Sequence, residues 1–159
     1  MKAATIKQLK DELKHRNRDE LEALVLRLSR FKAENKELLT YLLFESHDES
    51  AFVQAIKKEL DEDFESMNTA SPFYVKKSLR KMIRKIRKYS RYSNQKETEV
   101  DLFLYFARQL KYSDKDFLQY PKLLKIYQQQ IVTIKNKLPK LHEDLQYDFR
   151  VELDEIVRN

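Results

Sequence analysis

The sequence predicts an all-α fold of seven to eight helices in a single domain spanning residues 1–159. Apolar residues recur at spacings of three and four along nearly the whole chain, as amphipathic helices require. The 159 residues include no glycine, and a chain without glycine favours helices over tight hairpin turns. Two arrangements fit this pattern: an α-α array of the HEAT or armadillo kind, or an irregular helical bundle.

The first three helices are predicted at about 5–15, 17–32 and 35–45. Asn17 followed by Glu20 resembles a capping box at the start of the second helix. The apolar positions are Ile6, Leu9 and Leu13 on one face of the first helix, Leu21, Leu24, Val25, Leu28 and Phe31 facing inward on the second, and Leu38, Leu39, Leu42, Leu43 and Phe44 on the third.

The fourth helix is predicted at about 48–67, and Pro72 starts the fifth at its first helical position. Both helices have one apolar face, so both are expected to pack on a core. The apolar positions are Phe52, Val53, Ile56, Leu60 and Phe64 on the fourth helix, and Val75, Leu79, Met82, Ile83, Ile86 and Tyr89 on the fifth.

The sixth helix, at about 95–111, is apolar almost all round and is predicted to be the most buried element, with Phe103, Phe106 and Leu110 in the core. A short turn at 114–120 leads to a seventh helix at 121–137, and Pro139 opens an eighth. The inward positions of these last two helices are Leu124, Tyr127, Ile131, Ile134, Leu141, Leu145, Phe149, Leu153 and Ile156.

Helix ends are expected at asparagine, because asparagine is the next-best residue for capping and left-handed geometry in a chain without glycine. The five internal asparagines are Asn17, Asn35, Asn68, Asn94 and Asn136. A shift of 79 residues also aligns similar residues, such as Glu20 with Glu99 and Tyr41 with Tyr120, which suggests an internal duplication of about 20–70 and 99–149. A true duplication would favour the stacked array over the bundle.

A family resemblance starts from three short stretches near the N-terminus, at 9–13, 19–21 and 30–39. With these stretches the chain resembles the opening of small uncharacterised bacterial all-helical proteins that contain a domain of unknown function. The resemblance covers less than a third of the chain. It implies an all-helical fold, and it implies no activity and no site residues.

The segment 72–96 differs most from the rest of the chain in charge. It contains ten Lys or Arg and no Asp or Glu, whereas the rest of the chain has 22 basic and 26 acidic residues, a net charge of −4. This one segment therefore makes the whole chain basic, with a net charge of +6. Like charges four residues apart destabilise an isolated helix by about 0.2–0.5 kcal/mol per pair, which an anionic partner would offset.

The basic residues of this segment fall into two rows at helical spacing, one of arginines and one of lysines. Tyrosine interleaved with such cations can stack on bases of single-stranded nucleic acid. Tyr89 lies on the apolar arc and is predicted to be in the core, whereas Tyr92 is predicted to be exposed. The candidate residues for binding an anion or nucleic acid are Lys77, Arg80, Lys81, Arg84, Lys85, Arg87, Lys88, Arg91 and Tyr92.

An alternative interpretation of the basic segment is internal charge pairing. Glu59, Asp61, Glu62, Asp63 and Glu65 precede it, and a hairpin of the two helices would bring these acids to its first turns. Acids placed there could offset Lys76, Lys77 and Arg80. They would not reach residues several turns further on, at 87, 91 and 96.

Composition and motifs give no positive indication of catalysis, a cofactor or a metal. The chain has no cysteine, its three histidines are scattered, and the absence of glycine excludes glycine-rich phosphate loops. The acids at 59–65 follow one another along a helix and do not wrap a loop, so salt bridging is expected before calcium binding. We find no apolar run long enough for a transmembrane helix and no signal-peptide pattern, so a cytoplasmic location is expected.

The expected function is therefore a non-enzymatic binding module whose basic helix binds an anionic partner, with nucleic acid ahead of an acidic protein. The main alternative is a helical-repeat scaffold for protein interaction with no nucleic-acid role. Binding to an anionic membrane surface ranks last, because the apolar arc of the basic helix is needed for the core. The sequence indicates neither the oligomeric state nor the identity of the partner.

Overall fold

The computed structural model describes residues 1–158, which form eight α-helices and no strand. A π-helical turn (Tyr41–Glu45) follows the third helix, and 3₁₀ turns lie at Phe117–Gln119 and Leu138–Lys140. The predicted all-α class with seven to eight helices is confirmed. The helices are α1 (Ile6–Leu13), α2 (Arg18–Phe31), α3 (Ala33–Thr40), α4 (Glu49–Glu65), α5 (Pro72–Ser93), α6 (Lys96–Lys111), α7 (Pro121–Lys137) and α8 (Glu143–Arg158).

The described residues form two compact units, which we call the N-terminal unit (Met1–Phe44) and the C-terminal unit (45–158). The N-terminal unit contains α1, α2 and α3, and the C-terminal unit contains α4 to α8. The sequence-based proposals of one domain over 1–159, of a duplication and of a stacked repeat stay predictions.

The core of the C-terminal unit is built around α6, which packs against α4, α5, α7 and α8. Phe103, Phe106 and Leu110 are buried as predicted, because neighbours on several sides cover a helix that has almost no polar face. Each such side chain contributes about 1.5–3 kcal/mol by leaving water. The other helices of this unit bury Phe52, Val53, Ile56, Leu60, Val75, Leu79, Met82, Ile83, Ile86, Tyr127, Ile131, Ile134, Leu153 and Ile156.

Polar contacts join α4 to α6 beside this core. Lys57 Nζ lies 2.8 Å from Asp101 Oδ1, and the Tyr105 hydroxyl donates to both carboxylate oxygens of Asp61 at 2.7 and 2.8 Å. Burial, together with the hydrogen bond to Asp61, raises the pKa of Tyr105. Asp61 is therefore directed at α6 and not at the basic helix.

Asparagine marks some of the helix ends but not all of them. Asn17 caps α2 in a capping box with Glu20, and Asn94 ends α5 in the left-handed conformation at φ 57°, both as predicted. Asn136 is the penultimate residue of α7, which ends at Lys137 as predicted, but it is not itself the capping residue. Pro139 lies in the second 3₁₀ turn and does not open α8, which begins at Glu143.

The N-terminal unit lacks the core that was predicted for it. Its only buried side chains among the described residues are Ser29 and Tyr41. The inward orientation predicted for α2 is wrong, since Leu24, Val25 and Leu28 are exposed and Phe31 is 77% exposed. The physical reason is that α2 packs side by side with α3 alone in this unit, so its apolar face has no cover.

Candidate anion-binding site

The orientation of α5 is fixed by its apolar arc. Val75, Leu79, Met82 and Ile86 are each at most 2% exposed, so this side of the helix faces the core. A helix held by one face presents the opposite face to solvent. The arginines of α5 lie on its exposed side, and we call them the arginine ridge: Arg80, Arg84, Arg87 and Arg91.

All four side chains of the arginine ridge are exposed. Among residues 1–158, no carboxylate lies within ion-pair distance of Arg80, Arg84 or Arg87. Arg91 is exposed as well and also interacts with other residues of the fold. The helix between Pro72 and Ser93 carries no acid that could form a local pair. The ridge is thus a row of guanidinium groups directed at solvent.

Lys85 lies in a different environment from the arginine ridge, because it flanks α4. Lys85 Nζ is 2.5 Å from Asp63 Oδ2 and 3.2 Å from Glu59 Oε2, and its side chain is only 19% exposed. Lys81 lies at 4.0 Å from Asp63 and remains 70% exposed. Lys77 is exposed in the second turn of the helix. The predicted salt bridging between the acids and the basic helix is therefore confirmed for Asp63 and Glu59.

The position of these ion pairs along α5 corrects the prediction, which placed the acids at Lys76, Lys77 and Arg80. In the antiparallel pair of helices, Asp63 meets Lys85 and Glu59 meets Tyr89. With this register the first two turns of α5 extend past the end of α4. The acids therefore meet the lysines in the middle of α5 and leave the ridge without a carboxylate partner at Arg80, Arg84 and Arg87.

Two opposing effects act on the charge of Lys85. Burial disfavours the ammonium group, but hydrogen bonds and charge attraction from Asp63 and Glu59 outweigh burial and raise the pKa of Lys85 above 10.5. Lys85 therefore stays charged at neutral pH and serves the fold. It is not available to an external anion in the way that the ridge is.

Tyr92 is buried, at 7% exposed, so the prediction of an exposed base-stacking tyrosine is wrong. Its ring lies edge-on to Tyr89 at a centroid distance of 5.9 Å, and Tyr89 in turn contacts Phe52 of α4. The lysine side of α5 is thus the side that faces α4, and the aromatic residues on it are covered. Lys88 lies on this side too, half-buried, with Nζ 4.9 Å from the Tyr89 ring centroid.

A cleft of about 340 Å³ lies at the C-terminal end of the ridge, where α5 turns into α6. The left-handed Asn94 makes this turn and brings the first turn of α6 beside Arg87 and Arg91. Glu99, the one acid that lines the cleft, accepts a hydrogen bond from Lys137 at 2.6 Å. The residues lining the cleft are Arg87, Ser90, Arg91, Asn94, Gln95, Lys96 and Glu99.

The cleft was missed in the sequence because its residues come from two helices and the turn between them. The signal that could have indicated it is an asparagine at a helix end next to arginine and lysine. The first turn of α6 has no side-chain cap, so its backbone N–H groups add donors at this place. The cleft shares Arg87 and Arg91 with the ridge, and the first turn of α6 also carries the acids Glu97 and Glu99.

The ridge and the cleft present arginine and lysine side chains to solvent. Among residues 1–158, no three His, Asp or Glu side chains lie together in a way that could hold a metal ion. No helix in the same described range has the length and hydropathy of a membrane span. Comparison of the chain with protein-family models, curated proteins and solved structures gives no match.

Proposed function

We propose that the protein is a non-enzymatic module that binds the phosphate backbone of nucleic acid through the arginine ridge of α5, without reading base sequence. The observation that carries this proposal is the contrast between Lys85, which pairs with α4, and Arg80, Arg84 and Arg87, which are exposed without a carboxylate partner among the described residues. Guanidinium groups suit this task because their planar donors match two oxygens of one phosphate.

The ridge has the dimensions of a short backbone track. Arg80 and Arg91 are eleven residues apart, which corresponds to about 16 Å along the helix axis. Three or four phosphates of one strand can face a row of this length. Each contact releases a condensed counterion, so affinity falls with salt at a slope of about −0.7 per contact on single strands and −0.9 on duplex.

The cleft extends this track at one end. A phosphate there would meet Arg87, Arg91 and Lys96, together with the positive end of the α6 dipole. The buried Tyr92 offers no surface for stacking. The proposed mode is therefore contact with phosphates alone, which carries no sequence information.

Binding to an anionic membrane surface is less well supported. An interfacial helix inserts its apolar face among lipid chains, but the apolar arc of α5 is already buried in the C-terminal unit. A cytoplasmic location, where nucleic acid is accessible, fits the proposal.

The test is fluorescence anisotropy with labelled single-stranded and duplex oligonucleotides, titrated at several salt concentrations. We expect dissociation constants of tens of micromolar at low salt and a logarithmic salt slope between about −2 and −4. The triple variant Arg80→Gln, Arg84→Gln and Arg87→Gln is expected to flatten the slope, and circular dichroism is expected to show an intact helical fold.

A control variant separates the ridge from overall charge. Lys122, Lys125 and Lys135 are exposed on α7, and their replacement by Gln removes the same three charges. This variant is expected to keep most of the salt slope. The proposal is wrong if neither oligonucleotide binds at tens of micromolar protein, or if both variants lose binding equally. An acidic protein would then be the better candidate for the ridge.

A further inference from the structure

The N-terminal unit leaves most of its large apolar side chains exposed to water. None of its Leu, Ile, Val or Phe side chains is buried. A small unit stabilised by so little burial depends on another surface to cover its apolar side chains. This apolar surface is separate from the arginine ridge, so a role for it does not depend on the proposed function.

The apolar residues of α2 and α3 enclose a groove. Its volume is about 390 Å³. Val25 and Leu28 line it from α2, while Asn35 joins the two helices by donating its side-chain amide to the Leu28 carbonyl at 2.8 Å. An apolar groove between two helices accepts the apolar face of a third, amphipathic helix. The residues lining the groove are Val25, Leu28, Ser29, Asn35, Leu38, Leu39 and Leu42.

Helix α1 has the form that such a groove accepts. Ile6, Leu9 and Leu13 lie on one face at spacings of three and four, and α1 buries none of its side chains. The N-terminus of α1 is capped, since Thr5 and Gln8 form a complete capping box. The chain thus carries both an apolar groove and an amphipathic helix with an exposed apolar face.

We propose that two copies of the chain associate through the N-terminal unit, with α1 of each copy lying in the α2–α3 groove of the other. Two such contacts related by a two-fold axis satisfy both helices and both grooves, and they close the assembly at two copies. Charge does not oppose the pairing, because residues 1–14 carry a net charge of +2 and residues 18–44, which form the groove, a net charge of 0.

The area available fits a stable dimer. Ile6, Leu9, Leu13, Val25 and Leu28 are between 44% and 81% exposed. A side chain whose full burial contributes about 3 kcal/mol at about 25 cal/mol per Å² has about 120 Å² of apolar surface, so these five present about 330 Å² per copy and about 670 Å² in two copies. Since apolar atoms make up about 56–65% of an interface, the total is about 1,100 Å², above the roughly 1,000 Å² that a specific interface needs.

The first test is the mass of the full chain in solution by light scattering coupled to size-exclusion chromatography. We expect about twice the chain mass of 19.3 kDa at tens of micromolar. Leu28→Asp is expected to give a monomer, whereas Val132→Asp, at an exposed apolar position of α7, is expected to leave the dimer intact. A wild-type monomer at 100 micromolar overturns the proposal, and so does a dimer that Leu28→Asp does not weaken.

The second test fixes the arrangement and uses mild substitutions. The chain has no cysteine, so Leu9→Cys and Leu28→Cys each introduce a single thiol. With oxidised glutathione as the oxidant, an equal mixture of the two variants, one of them tagged, is expected to form the mixed disulfide faster than a mixture of Lys10→Cys with Leu28→Cys. The mixed bond joins two different chains, so it reports only contact between copies. Equal rates in both mixtures, or a preference for the bond between two Leu28→Cys chains, overturn the placement of α1 in the groove.

Discussion

Phe31 in α2 and Phe106 in α6 are both phenylalanines on the apolar side of a helix, and their surroundings are opposite. Phe31 is 77% exposed, while Phe106 is fully buried and its ring lies 5.8 Å from that of Phe64. The difference is in the neighbours: α6 is packed by four helices of its unit, and α2 is packed side by side with α3 alone. Periodicity gathers apolar side chains onto one face, but the number of packed neighbours decides whether that face is buried.

The largest expected effect tests this comparison directly. Phe106→Ala leaves a cavity among rigidly packed helices and is expected to lower the free energy of unfolding by about 3–5 kcal/mol. Phe31→Ala, which removes the same atoms from an exposed site, is expected to change it by less than about 0.5 kcal/mol. Urea unfolding followed by far-ultraviolet circular dichroism measures both. Equal losses would show that Phe31 is covered in solution.

The same reasoning explains how much of the fold could be predicted from the sequence. The helices and the core of the C-terminal unit were predictable, because one periodic pattern determined both. The exposure of Leu28 was not, because a single helix pattern contains no information on how many helices pack against it. The ends of helices were predictable where a local bond makes them, as at Asn17, and not where a 3₁₀ turn intervenes, as at Pro139 before α8.

The candidate site shows the same limit. That Arg84 and Arg87 are exposed followed from their distance to the apolar arc. That Lys85 is paired and Tyr92 buried depended on which flank of α5 faces α4, and on the register of the two helices. Flank and register are properties of the pair of helices, which the pattern of one helix does not contain.

Lys85 provides the next largest effect, because it tests whether α5 is divided into a structural flank and an exposed ridge. Lys85→Ala removes the partner of Asp63 and Glu59 and is expected to cost about 1–2 kcal/mol, between the values for exposed and buried pairs. Lys77→Ala, two turns earlier and exposed, is expected to change stability by less than about 0.5 kcal/mol. Chemical unfolding of both variants at low salt makes the comparison. Similar losses of stability in the Lys85→Ala and Lys77→Ala variants would contradict the division of α5 into a structural flank and an exposed ridge.

Asn94 tests the turn that joins the ridge to the cleft. Its backbone φ of 57° lies in the left-handed region. This conformation costs most residues that carry a Cβ atom about 1–2 kcal/mol, and it costs asparagine less. Asn94→Ala is therefore expected to lower the free energy of unfolding by about 1 kcal/mol, and Asn94→Gly to leave it within about 0.5 kcal/mol. Thermal unfolding of the two variants side by side measures the difference. A more stable Ala variant would rule out the left-handed turn.

The smallest effect concerns Glu152 of α8, whose carboxylate lies 3.3 Å from Arg108 of α6. Burial is the main cause that raises the pKa of Glu152, and the charge of Asp101 adds to it, while Arg108 opposes both. Because the folded-state pKa is raised, the contribution of this group to stability is present below its ordinary pKa of about 4.5 and is lost as pH rises through the folded value.

Glu152→Gln imitates the protonated form, so the variant is expected to gain a few tenths of a kcal/mol over the wild type between pH 4 and pH 7. Urea unfolding at closely spaced pH values, with Glu62→Gln at an exposed position of α4 as the control, measures this gain. A difference that stays constant with pH would show that the pair with Arg108 cancels burial, and one that favours the wild type more at pH 7 than at pH 4 would show that the pair outweighs burial. In either case burial would not control the charge of Glu152.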